Sequence, residues 1–101
     1  MDSMFHLIRA ITTYNDFIMD VLFVNGERRR FNMLPLIMNS SRFKKFEEDP
    51  NFFFKAEVGP GGYGVIWDDT LDLSCDYIYN SSTWVGGAIV DTRPHGELDE
   101  K

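Results

Sequence analysis

The chain has 101 residues, of which 44% are hydrophobic, 15% aromatic and 26% charged, enough for one domain that buries about two thirds of its unfolded surface. No apolar run approaches the ~18 residues of a membrane-spanning helix, and a single cysteine, Cys75, excludes an internal disulfide framework. The net charge of −6 divides into +1 over residues 1–55 and −7 over residues 56–101, a balance that disfavours wholesale binding of phosphate backbones.

In chain order, His6 to Thr13 carries a β-leaning mix of Ile, Thr and Tyr neighbours, and Asn15-Asp16 supplies a turn before a second strand, Phe17 to Val24. Asn25-Gly26 follows at once and predicts a two-residue type I′ hairpin. In that register Leu22 faces Arg29 and Asp20 faces Phe31 on one side, with Phe23 beside Arg28 and Val21 beside Arg30 on the other. Neither face is purely apolar, so the pattern leaves the buried face open. Pro35 makes Met33 to Met38 an irregular connector. Ser40-Ser41 is expected to cap a short helix over Arg42 to Glu48, with Phe43 and Phe46 on one face.

Phe54, Ala56 and Val58 alternate with polar residues as a strand, and Gly59 to Gly64 turns the chain back into Tyr63, Val65 and Trp67. Cys75 to Tyr79 reads as a helical turn capped by Ser74. The fold class is α+β, with an antiparallel sheet of about five strands in the order β-β-β-α-β-β-α and one short helix packed on it. Phe54, Val58, Val65 and Trp67 are expected in its core. Residues 1–83 form the domain, and 84–101 form an extension that begins with an apolar strip and ends in a polar tail.

Several chemical motifs have plainer structural readings. Gly59-Pro-Gly61-Gly-Tyr-Gly64 spells G-x-G-x-x-G, but a strand follows where a dinucleotide site needs a helix, so the reading is a hairpin turn. Asp68, Asp69, Asp72 and Asp76 are the densest carboxylates. They lack a calcium-loop pattern and read as a solvated acidic edge, with a cation or small-ligand site beside Tyr63 and Trp67 as the alternative. In Arg28-Arg29-Arg30, strand alternation puts Arg28 and Arg30 on one surface, where they protect an edge or meet an acidic partner, with nucleic-acid binding as a further alternative. His6, His95 and Cys75 form no evident catalytic set. Neither catalytic residues, a metal nor a cofactor is expected. Met1-Asp2-Ser3-Met4 lacks the basic n-region of a signal peptide, and the reading is a cytoplasmic protein without a membrane. Trp84, Val85, Ile89 and Val90 are too apolar for a free tail, and are expected to dock on a second copy as a homodimer ahead of the chain's own sheet edge.

Four motifs follow one another in the chain: Phe23-Val24-Asn25-Gly26-Glu27, then Phe31-Asn32-Met33-Leu34-Pro35-Leu36, and the stretch from Phe43 through Asp49-Pro50 to Phe53. The last runs from Trp67 through Asp72-Leu73 and Asp76 to Ile78-Tyr79. Their order resembles the bacterial domain-of-unknown-function family 2442, from about His6 to Tyr79. The resemblance implies a small α+β domain with an antiparallel sheet, occurring alone or fused to a helix-turn-helix. It also implies, for stand-alone members, a small neighbouring protein in a toxin–antitoxin-like arrangement. It carries over no catalytic residue. Arg28 and Arg30 depart from the apolar residues frequent at these positions, and no helix-turn-helix follows Tyr79. The expected function is a non-catalytic protein-interaction or regulatory module, an accessory or antitoxin-like partner of a small protein.

Overall fold

Period-two alternation through residues 8–32 produces a meander whose one side is apolar, and the computed structural model describes residues 5–87. β1 (Ile8–Tyr14), β2 (Ile18–Phe23) and β3 (Arg28–Asn32) pair antiparallel in sequence order. The turn between β1 and β2 is Asn15–Phe17, with Asp16 and Phe17 both at positive φ. The second strand therefore starts at Ile18, one residue later than expected.

The β2–β3 hairpin exists, but its turn is not type I′. Of Asn25 and Gly26 only Gly26 has positive φ, at 97°. The Gly26 N–H donates to the Phe23 carbonyl and the Phe23 N–H to the Glu27 carbonyl, both at 2.9 Å, which closes a three-residue loop. Leu22 thus faces Arg28, Val21 faces Arg29 and Met19 faces Phe31. This one-residue change from the expected register gathers Met19, Val21, Phe23 and Phe31 on one side, and all four are buried.

Residues expected to form an irregular connector instead form α1 (Leu34–Asn39). Pro35 lies in its first turn, where a missing N–H costs nothing, and the Asn32 side chain accepts the Leu34 N–H at 3.0 Å. The next helix is split into a 3-10 turn, Ser41–Phe43, and α2 (Lys45–Glu48), without a side-chain cap at either start. A second 3-10 turn, Pro50–Lys55, replaces the first half of the strand expected from Phe54. Phe54 consequently points outward, 47% exposed, while Phe52 and Phe53 are buried.

β4 (Glu57–Val58), β5 (Gly64–Ile66) and β6 (Asp72–Ser74) make a separate three-stranded antiparallel sheet. The glycine motif is the turn between β4 and β5, with strands on both sides. α3 (Cys75–Ser81) begins at the expected cap, where Ser74 Oγ accepts the Tyr77 N–H at 3.1 Å. β7 (Thr83–Gly86) then adds to β3, giving the four-stranded order β1-β2-β3-β7.

Among the described residues the architecture is α+β with seven strands in two sheets rather than about five in one. The core lies between the apolar side of the larger sheet, the smaller sheet and the helical segments. At its centre Phe46 meets Trp67 edge-on at 5.3 Å, and Trp67 Nε1 donates to the Phe53 carbonyl at 3.0 Å. Val65 and Trp67 are buried as expected, and Val58 packs on the core from its margin. The boundary expected after residue 83 falls inside β7, where Trp84 and Val85 dock on the domain's own sheet edge. Ile89, Val90 and His95 lie outside the described residues.

Candidate functional site

The three successive arginines of β3 divide between the two sides of the larger sheet, as strand geometry requires. Arg29 turns inward beneath β7. Its Nη1 donates to Glu27 Oε1 at 2.9 Å, while its Nε and Nη2 donate to the Ser82 hydroxyl and carbonyl. Glu27 is the buried charged residue of the described chain, and the Tyr79 hydroxyl and Asn25 Nδ2 donate to its Oε2 at 2.7 and 2.9 Å. Burial raises the Glu27 carboxyl, but the hydrogen bonds from Tyr79, Arg29 and Asn25 together outweigh it and hold the group below its ordinary value. The same bond to Glu27, with burial, pushes the Tyr79 phenol up. Arg29 also lies over the Tyr79 ring at 4.3 Å, and His6 stacks on that ring at 3.6 Å. These bonds join residues of the one fold, and the Tyr79–Glu27 bond ties the hairpin to α3.

Arg28 and Arg30 face outward, on the side of the sheet opposite the core. Arg30 forks onto Asp20 across the strand pair, at 2.7 and 2.9 Å. The Arg30 hydrogen bonds hold the Asp20 carboxyl below its usual range despite partial burial. The Arg28 guanidinium makes no hydrogen bond or ion pair among the described residues, although its charge also helps hold the Asp20 carboxyl low. Its guanidinium extends over Gly86 of β7, where an added Cβ would lie 2.6 Å from Arg28 Nη2. Alternate residues of all four strands, among them Tyr14, Leu22 and Val85, line a shallow groove of about 380 Å³ on this side. Tyr14 and Val85 are exposed large apolar side chains within it. No element among the described residues covers this face, and β7, whose sequence Thr-Trp-Val-Gly is uncharged, is an open edge of the sheet.

The remaining predicted site residues do not converge. Asp68 closes its own turn by accepting the Thr70 and Leu71 N–H groups, and these bonds, that from Thr70 foremost, hold its carboxyl low. Asp72 pairs with Arg42 at 3.1 Å, and Asp76 accepts the His6 backbone N–H at 3.0 Å. Asp69 stands exposed in the turn after β5. Tyr63 is exposed against Phe5, whereas Trp67 belongs to the core. Among the described residues no group of three or more His, Cys, Asp or Glu side chains is placed to hold a metal ion. Cys75 is buried, and desolvation together with the adjacent Asp76 charge pushes its thiol up, away from nucleophilic character.

Sequence reasoning placed Arg28 and Arg30 together but missed the Glu27–Arg29–Tyr79 network. The available signal was that Glu27 ends the first motif and Tyr79 the last. Among the described residues no helix is long and apolar enough to cross a membrane. Comparisons with curated proteins and with solved structures give no match. The family model for DUF2442, proteins of unknown function, matches residues 8–83, which span every strand onset from β1 to β7, and the chain therefore belongs to that family.

Proposed function

We propose that this domain is a non-catalytic protein-interaction module that docks its partner on the outer face of the four-stranded sheet. The observation that carries this reading is the open groove over β1, β2, β3 and β7, where apolar Tyr14, Leu22 and Val85 share one surface with Arg28 and the Arg30–Asp20 pair. A half-covered antiparallel sheet ordinarily shows water an alternating polar face, and exposed aromatic and aliphatic side chains beside arginine are the composition of docking surfaces. A cytoplasmic setting fits the lone buried thiol. An accessory or antitoxin-like role beside a small neighbouring protein fits a domain of this size whose polar network is spent on its own fold.

Affinity capture from the native cells tests this reading, with the wild type compared to a Tyr14→Asp/Val85→Asp variant whose folding is checked by circular dichroism. The expected result is a stoichiometric protein held by the wild type and lost by the variant. Equal capture by both, or none by either, contradicts it.

A further inference from the structure

The interaction reading leaves open what chemistry the outer face selects, and Arg28 supplies the answer. Two of the three arginines on β3 are neutralised inside the domain, Arg29 by Glu27 and Arg30 by Asp20. Arg28, the third, is exposed and has no ion pair among the described residues, though the Asp20 carboxylate feels its charge through space. Its guanidinium lies over Gly86 of β7, where an added Cβ would come within 2.6 Å of Nη2. Beside it, β7 offers an uncharged edge with Val85 on the outer face and an exposed Trp84 paired opposite Arg29.

Resting on that reading, we infer that the open β7 edge takes an extended, acidic segment of the partner protein as an added strand. Main-chain hydrogen bonds to that edge, unpaired among the described residues, align it. Side-chain alternation then turns every second residue to the outer face, where one carboxylate meets the Arg28 fork and a neighbouring apolar side chain sits against Val85. The intervening residues face Trp84. Charge complementarity favours this occupant over a second copy of the chain, because two copies meeting β7 to β7 bring two Arg28 groups to the same seam, and the uncharged residues of β7 supply no carboxylate between them.

The test measures fluorescence anisotropy of labelled hexapeptides, Glu-Val-Glu-Val-Glu-Val and Lys-Val-Lys-Val-Lys-Val, against wild type, Arg28→Glu, Arg28→Gln and, as a control on the other sheet's side, Arg42→Glu. The wild type is expected to favour the acidic peptide by about tenfold or more, the scale of one charge-assisted contact, and to lose that preference as salt is raised. Arg28→Gln abolishes the preference, Arg28→Glu inverts it, and Arg42→Glu leaves it intact. Equal binding of the two peptides by the wild type, or an acidic preference that survives Arg28→Glu, overturns the inference. So does a single-stranded oligothymidine that binds more tightly than the acidic peptide, or a dimer in sedimentation that Arg28→Glu disrupts. If neither peptide binds while the Tyr14/Val85 variant still loses its captured partner, the acidic-strand inference fails and the interaction reading stands. If that capture fails as well, both fall.

Discussion

Glu27 shows how one side chain ties distant parts of the chain together. The residue is 6% exposed and its carboxylate accepts from Arg29, Tyr79 and Asn25, so removing it leaves a guanidinium charge without its counter-ion and a phenol without its acceptor in a partly dry site. Glu27→Ala is expected to cost about 3 kcal/mol in urea unfolding, the range for breaking a buried pair from one side. A loss below measurement error contradicts the network's structural role. The pH dependence follows from the same bonds. Because the folded carboxyl is held below its ordinary value, its contribution is complete above the ordinary glutamate range and is lost as pH falls through the lowered folded value. Asp20, held low by the Arg30 hydrogen bonds, acts in the same direction. Unfolding free energy measured against pH should therefore fall on the acid side, and Glu27→Gln should flatten part of that slope. Parallel profiles for the two proteins would place the acid sensitivity elsewhere.

At the scale of elements, the β2–β3 hairpin depends on Gly26, whose φ of 97° no β-branched residue adopts without strain. Gly26→Val is expected to cost about 1–3 kcal/mol and Gly26→Asn less, since Asn tolerates the left-handed region. An unchanged denaturation midpoint for Gly26→Val contradicts this. The presence of the hairpin was legible in Asn25-Gly26, but its register was not, because a glycine after a type I turn serves a three-residue loop as well as a type I′ turn serves a two-residue one. Sorting the two by face would have succeeded, since only the longer loop gathers Met19, Val21, Phe23 and Phe31 on one side. α1 was hidden by reading Pro35 as a breaker when it stands in a helix's first turn. Phe54 was misplaced because alternation over a few residues does not separate a strand from a 3-10 turn. Arg28 and Arg30 were legible as a pair from strand alternation alone. The Tyr79–Glu27 bond joins residues 52 apart in sequence, a separation that no local pattern reports.

At the scale of the whole molecule, the Arg28 guanidinium lies on the outer face of the larger sheet beside the Arg30–Asp20 pair, while Asp68, Asp69, Asp72 and Asp76 lie on the β5–β6 turn, β6 and α3. β7 is central to that arrangement because it closes over Arg29 and borders the open groove. Truncation after Ser82 removes its pairing with β3 and should lower the melting temperature, each 1 kcal/mol lost shifting it by roughly 4–8 °C in a domain of this size. An unchanged melting temperature would mean that β7 contributes nothing to the fold. The central claim, that the outer face of the four-stranded sheet is the docking surface, is tested most directly by a photo-crosslinking residue placed in native cells at Val85 and, separately, at Asp69. The account predicts one discrete crosslinked protein from position 85 and none from position 69, and a crosslink confined to position 69, or absent from position 85, would contradict it.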